Sequence, residues 1–225
     1  MLETSELNGP VMEIGCGTGF ISEKLVDKFP RNEIVLTDLS QDMLELCRIK
    51  IKNLHAGINK IQYKILDGES ICEENQYSLI ISGFTFQWFN NLHSALLNIR
   101  KALRREGILL FSMPVNGSFK EWSDACEKLN IPYTANKLPI CDELENWFKV
   151  NGWKGTVQIK EEVLTYNSAL DFFKSIKNIG ASTQEKENSA DRTQIRKLIN
   201  YLDEKNRKNN KFMITYNIMY CCMKK

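Results

Sequence analysis

The sequence predicts an α/β fold: a Rossmann-like, seven-stranded, mostly parallel sheet with an antiparallel last strand, helices on both faces, and a helical insertion before the last strand. Three observations predict it. Short apolar runs alternate with amphipathic helical stretches through the first half of the chain. A glycine-rich turn, E-I-G-C-G-T-G-F (13–20), directly follows the first of those runs. The stretch FMITYNIMYCC (212–222) then alternates with period two after a long helical excursion.

Each element has its own signal. Val11–Gly15 reads as a short buried strand, and the stretch from Thr18 to Phe29 places Ile21, Leu25 and Phe29 at helical spacing before Pro30 stops it. EIVLTD (33–38) is a second strand. Ser40 can cap a helix with Met43, Cys47, Ile51 and Leu54 on one face. IQYKIL (61–66), YSLIIS (77–82) and GILLFSM (107–113) read as strands, and Leu92, Leu96, Ile99 and Leu103 as the apolar face of a helix between the last two. Residues 117–130 and 142–153 read as helices and 155–166 as a strand. Helices over about 168–179 and 190–206 flank a polar link, 180–193, expected to be mobile. The whole fits a single domain of 225 residues: a cofactor half over about 10–113, a substrate-side half with a helical lid over about 114–211, and a final strand at 212–222.

Composition excludes several classes of function. Thirty basic against 28 acidic side chains leave a net charge of +2, which gives no reason to expect nucleic acid as partner. No apolar run approaches the roughly 18 residues needed to cross a bilayer. The opening MLETSELNGP is too polar for a signal peptide. Seven cysteines, scattered singly except Cys221 and Cys222, fit free thiols in a reducing cytoplasm better than a disulfide framework. Only two histidines occur, His55 and His93, neither at metal-ligand spacing from other ligands, so no metal site is expected.

The chemistry concentrates in the first half. Gly15, Gly17 and Gly19 allow a tight turn, close approach of a ligand to backbone, and entry into a helix whose N–H groups point at that ligand. Their G-x-G-x-G spacing differs from the G-x-G-x-x-G of dinucleotide-binding proteins, and no lysine follows as in a P-loop. Glu13 stands two positions before the first glycine, where a carboxylate suits a cationic group better than a pyrophosphate. Asp38 ends the second strand, where a carboxylate can accept both hydroxyls of a ribose. Asp67 ends the third, at the height of an adenine amino group.

This conjunction resembles the class I S-adenosylmethionine-dependent methyltransferases. EIGCGTGF is similar to their first motif, LTDLSQDMLELC to the acidic loop and following helix, LDGES to the adenine-side motif, and YSLIISGFTFQWFNN to the fourth-strand motif. ALRREGILLFS resembles the turn into the fifth strand, with Arg-Glu-Gly (105–107) where Pro-Gly-Gly is usual. The resemblance covers about residues 10–113. It implies that Glu13, Gly15, Gly17 and Gly19 hold the methionine portion and Asp38 the ribose. Met43 would pack on the adenine, with Asp67, Gly68 and Glu69 along it, and Ser82 and Gly83 would line the floor near the sulfonium.

The substrate-side half resembles the malonyl-[acyl-carrier protein] O-methyltransferases of biotin synthesis. Gln87 and Trp88 match a pattern after the fourth strand, although Gly83 and Phe86 replace an Asn and a Leu there. FSMPVNGSFKEW and SALDFFKSIKNIGAS resemble later segments of that family. The resemblance implies S-adenosylmethionine as cofactor, a malonyl-loaded acyl-carrier protein as partner, and Gln87, Trp88, Phe119 and Trp122 bordering the acceptor channel. Trp88 and Trp122 read equally well as core residues. A carboxylate acceptor is already ionised at neutral pH and needs no general base, and the chain offers few candidate bases. Fewer residues precede the first strand than is usual in that family. Carrier proteins of this type are acidic, so the Arg192, Arg196 and Lys197 group is a candidate docking surface, with a solvated helical face as the alternative. Two other readings stay open: a methyltransferase of another carboxylate, a quinone or a phenol, and a cofactor-binding protein without activity.

Overall fold

The computed structural model describes residues 7–54, 60–178 and 191–225. His55 and most of the polar link at 180–193 lie outside them. In order, the elements are β1 (Val11–Ile14), α1 (Phe20–Lys28), β2 (Ile34–Asp38), α2 (Gln41–Leu54), β3 (Ile61–Ile65) and β4 (Tyr77–Gly83). A 3-10 turn (Phe86–Trp88), α3 (Leu92–Ala102), β5 (Leu103–Pro114), α4 (Lys120–Leu129), α5 (Cys141–Val150) and β6 (Lys154–Tyr166) follow. The chain continues with α6 (Ala169–Asn178), α7 (Arg192–Lys205), β7 (Arg207–Lys208) and β8 (Lys211–Lys224).

The sheet runs in the order β3-β2-β1-β4-β5-β8-β6, with β7 paired to β8. The β1–β2, β1–β4, β2–β3 and β4–β5 pairs are all parallel. Hydrogen bonds from Val115 N–H to the Asn217 carbonyl and from Lys225 N–H to the Gly107 carbonyl run β8 antiparallel to β5. The fold class is as the sequence predicts. The strand count is not: among the described residues there are eight rather than seven. The extra two-residue strand exists because Asn209 and Asn210 both take positive φ (50° and 59°), closing a tight hairpin between Arg207–Lys208 and the start of β8. Strand β5 also begins earlier than 107, because Glu106 takes φ 64° in the Arg-Glu-Gly segment and the β4–β5 register shifts between Tyr77 and Leu79.

The chain forms two compact units. The first comprises residues 1–113, 142–158 and 220–225. One face of its sheet is covered by α1 and α2: Leu25 and Val26, then Leu44, Cys47 and Ile51, pack with Val11, Ile34, Leu36 and Leu79. The alternate strand residues Met12, Val35 and Ile80 are equally buried, so these parallel strands carry no polar face. Helix α3 is capped by Asn91, whose side chain accepts the Ser94 N–H, and it buries Ala95, Leu96, Ile99 and Ala102. From α5, Phe148 packs its ring 6.1 Å from Phe111 of β5.

The second unit comprises residues 114–141 and 159–219. Its centre is aromatic. Phe172 of α6 is fully buried, with the rings of Phe119, Trp122, Tyr166, Phe173 and Phe212 all centred within 6.1 Å of it. Helix α7 packs on both α4 and α6, and starts from a capping box in which Asp191 and Gln194 each accept the other's backbone N–H. The Glu121 carboxylate of α4 takes both the N–H and the hydroxyl of Thr215 on β8. Emptying the centre of this cluster leaves a large void, so Phe172→Ala should cost about 3–5 kcal/mol of stability. Urea unfolding reads it directly; a loss below about 1 kcal/mol would show that the cluster does not hold the unit together.

Candidate active site

The strand order reverses at β1: β2 and β3 lie on one side of it and β4 on the other. At such a switch point the loops leaving neighbouring strands diverge and open a crevice at their carboxyl ends. Pairing of Ile14 with both Thr37 and Ser82, and of Asp38 with Ile65, brings Gly15, Asp38, Asp67 and Gly83 to that edge. All eleven residues expected at the cofactor belong to the first unit.

The three turn glycines do different work. A Cβ on Gly15 would strike the Thr85 side chain. One on Gly19 would lie 3.0 Å from the Cys47 sulfur, so this glycine lets α1 enter against α2. Gly17, at φ 51°, has open space where its Cβ would stand. A bare backbone facing open space is the feature a closely approaching ligand requires. The Asp38 carboxylate closes the turn, accepting the Gly17 N–H on one oxygen and the Ser40 N–H on the other, both at 2.9 Å. Half-buried, each oxygen keeps a free lone pair for a hydroxyl.

Asp67 and Glu69 divide their tasks. Asp67 is exposed and accepts the Glu69 N–H on one oxygen, which leaves the other for an exocyclic amino group. Glu69 accepts from the Asn91 N–H at 2.6 Å and from the Asn90 side chain, tying this loop to the start of α3. Gly68 is a packing glycine, with Ile14 and Phe89 where its side chain would stand. Met43 is half-buried on α2, while the fully inward positions of that helix are Leu44, Cys47 and Ile51. The Ser82 hydroxyl donates to the Ile14 carbonyl and so fastens β4 to β1. Gly83 makes room for Ile21.

Glu13 is the most buried of these groups, 1% exposed, and accepts the Ser22 hydroxyl at 2.5 Å. Burial, only partly offset by that hydrogen bond, pushes its carboxyl up to about 8.

The segment after β4 is strained. Phe84 takes φ 54° and its carbonyl accepts the Gln87 side-chain N–H at 2.7 Å. The Gln87 oxygen and the Trp88 indole N–H are buried without a partner, an acceptor and a donor on adjacent residues. Phe119 and Trp122 belong to the second unit, where both lie within its aromatic core. Arg192, Arg196 and Lys197 are exposed on the first two turns of α7, also in the second unit.

Sequence reasoning missed several contributors. Thr85 reaches the carbonyls of Gly15 and Gly83 and joins the two loops across the switch point. Phe20 and Leu39 stand 75% and 72% exposed beside the turn and beside Asp38, apolar surface suited to a nucleoside. The signal for Leu39 was its place directly after the strand-end acid.

These residues fit S-adenosylmethionine. Gly17 offers an unobstructed backbone, Asp38 free lone pairs for ribose hydroxyls, and Asp67 an acceptor for the adenine amino group. Asp38→Ala should weaken binding of S-adenosylhomocysteine by about 1.5–3 kcal/mol, measured by calorimetry; unchanged affinity in the folded variant would remove Asp38 from the ribose site. Gly17→Ala and Gly15→Ala should differ in kind. The first should abolish most binding at a stability cost of roughly 1–2 kcal/mol, and the second should damage the fold itself. Thermal midpoints and affinities measured on both variants separate these effects.

Comparison with known proteins agrees with this geometry. Residues 12–109 match the family described as Methyltransferase domain. The malonyl-[acyl-carrier protein] O-methyltransferase of Priestia megaterium is 34% identical over 226 residues, covering 93% of this chain and 80% of that protein. The biotin biosynthesis bifunctional protein of Bordetella avium is 31% identical over 173 residues, 76% of this chain and 35% of its own length. In fold, the YcgJ protein of Bacillus subtilis matches 99% of this chain and 94% of its own with a TM-score of 0.70, at 14% identity. With a first unit built to hold S-adenosylmethionine and a relative this similar over most of both lengths, the chain belongs to the malonyl-[acyl-carrier protein] O-methyltransferase family of S-adenosylmethionine-dependent methyltransferases.

Proposed function

We propose that this chain O-methylates the free carboxylate of a malonyl group carried on an acyl-carrier protein, in the cytoplasm and in the service of biotin synthesis. One observation carries the reading. Likeness to the Priestia relative spans 93% of the chain and so continues past residue 109, where the shared methyltransferase domain stops. Function lives in sites grafted on a shared fold, so similarity that continues past the common domain supports a shared substrate as well as a shared cofactor.

When bound, the cofactor supplies an electrophilic methyl group on a positively charged sulfur. The malonyl carboxylate is ionised at neutral pH, so no residue has to remove a proton from it. Held by Asp38 and the glycine turn, the cofactor would supply that methyl group to such a carboxylate without help from a general base. What remains for the protein is alignment and exclusion of water. Asp38 and Gly17 fix the nucleoside and amino-acid ends. The strained Phe84–Trp88 segment at the carboxyl end of β4 carries a buried, unpartnered Gln87 oxygen and Trp88 N–H, which supports a polar contact to the acceptor there. We assign Gln87 and Trp88 to acceptor contact, and Phe119 and Trp122 to shaping its channel. The product ester hides the charge that would mark the acyl group as foreign to chain-elongating enzymes.

The test compares methyl transfer from labelled S-adenosylmethionine to malonyl-carrier protein, malonyl-coenzyme A and free diacids. Malonyl-carrier protein should be preferred in kcat/KM by at least tenfold; equal or better transfer to a free diacid or a phenol would replace this reading with a small-molecule methyltransferase. Gln87→Ala and Trp88→Phe should lower turnover far more than cofactor affinity.

We assign carrier docking to Arg192, Arg196 and Lys197, three exposed cations at the start of α7, since carriers of this type are acidic. Complementary charge acts mainly on association rate and fades with salt. Reversing all three to Glu should raise KM for malonyl-carrier protein at low ionic strength and leave the rate on malonyl-coenzyme A unchanged. Equal losses on both substrates would contradict docking.

A further inference from the structure

Beneath the glycine turn runs a buried polar relay. The Cys47 S–H donates to the Ser22 hydroxyl oxygen at 3.4 Å, and the Ser22 hydroxyl donates to Glu13 at 2.5 Å. The three side chains come from α2, α1 and β1, and none is more than 1% exposed. The groups around the Glu13 carboxyl are the Ser22 hydroxyl of α1, the Cys47 thiol of α2, the Cys16 thiol of the turn and the Asp38 carboxylate at the end of β2. On β4, the neighbouring Ser82 is a neutral hydroxyl turned to the Ile14 carbonyl. Lys50 of α2 acts on Cys47, not on Glu13, and is held 3.1 Å from Glu23. No cation faces Glu13 among the described residues. A carboxylate removed from water with a single hydroxyl donor and acidic neighbours is more stable with its proton on. Such a group fits beneath a ligand that brings its own positive charge.

We propose that Glu13 is a proton-linked counter-group for the cofactor: neutral in the free protein, it releases its proton when the ammonium of the methionine portion arrives on the turn, and the resulting carboxylate neutralises that cation. The O–H bond of Glu13 breaks, the proton passes to solvent, and the ammonium keeps its own protons. The proposal rests on the turn being the methionine site.

Burial places the Glu13 pKa near 8, so at pH 7 about 0.9 proton should leave per S-adenosylhomocysteine bound. Affinity should accordingly rise about ninefold between pH 6 and pH 7, below the range where an α-amino group titrates. Calorimetry in two buffers of different ionisation enthalpy counts the protons. One other group in the relay titrates near neutrality: Cys47, whose pKa the Cys16 S–H hydrogen bond holds down to about 7. Cys47→Ala separates the two sources.

The parent and Cys47→Ala should both release the proton, and Glu13→Gln should bind without release and without pH dependence over this range. The parent should release none on binding 5′-methylthioadenosine, which has no ammonium. Ser22→Ala removes the one hydroxyl donor, so its affinity should level off at higher pH than the parent's. Absence of release in the parent, release that survives Glu13→Gln, or release lost in Cys47→Ala would overturn the proposal. Release with 5′-methylthioadenosine, or a downward shift in Ser22→Ala, would overturn it too. Failure of S-adenosylhomocysteine to bind at all would instead contradict the cofactor site.

The ligand-free protein gives an independent reading. Because the folded pKa lies above the ordinary carboxyl value, the stability Glu13 contributes is full at low pH and is lost as pH rises through 8. The parent's thermal midpoint should therefore fall between pH 6 and 8.5 by more than that of Glu13→Gln; parallel curves would overturn the neutral state on which the proposal depends.

Discussion

The hydrogen bond from the Gly17 N–H to the Asp38 carboxylate is the tie on which the rest of the site depends. Turn and strand end are 21 residues apart in sequence, joined through α1 and the whole of β2. One carboxylate brings them together, and its second oxygen, holding the Ser40 N–H, also sets the start of α2. The open backbone at Gly17 and the lone pairs of Asp38 thus face the same crevice because they share a bond. Thr85 makes the matching tie on the β4 side, reaching the Gly15 and Gly83 carbonyls. Strand order fixes where the crevice opens, and these two side chains fix its shape.

Polar groups around that crevice fall into two sets with different energetics. Asp38 and Asp67 are half-buried and exposed respectively, and both accept backbone N–H groups. Glu13 and Ser22 lie in the packed layer between β1 and α1, where each hydrogen bond is worth more and each missing partner costs more. In the role proposed for Glu13, stability and function pull against each other. An apolar residue there would suit the ligand-free core, whereas a cationic ligand is served by an acid.

Much of the first unit was legible in the sequence. Parallel strands buried on both faces read as continuous apolar runs, and EIVLTD and YSLIIS are such runs. The glycines and strand-end acids were legible because turn chemistry is local: a residue type at a fixed offset from a strand implies a position at its carboxyl edge. Contacts between distant segments were not legible in the same way. Nothing in the spacing of Ser22 or Cys47 announces a relay to Glu13, because the packing of α1 on α2 creates it. The glycine at 68 was legible as part of the adenine-side motif, but not that Ile14 and Phe89 fill the space a side chain there would need. The β7–β8 hairpin was missed because Asn209–Asn210 lacks the glycine that usually signals such a turn, although asparagine tolerates the same backbone. In the second unit, aromatic residues at helical spacing say that a core exists. They do not say which rings meet at Phe172.

The central claim is that the carboxyl edge of β1, β2, β3 and β4 forms one nucleoside-binding crevice organised by Asp38. A crystal structure of the protein with S-adenosylhomocysteine tests it most directly. Ribose hydroxyls should lie on the free lone pairs of Asp38, the amino-acid chain over Gly17, and the adenine amino group at Asp67. Ligand density at any other edge of the sheet, or a ribose without contact to Asp38, would contradict it.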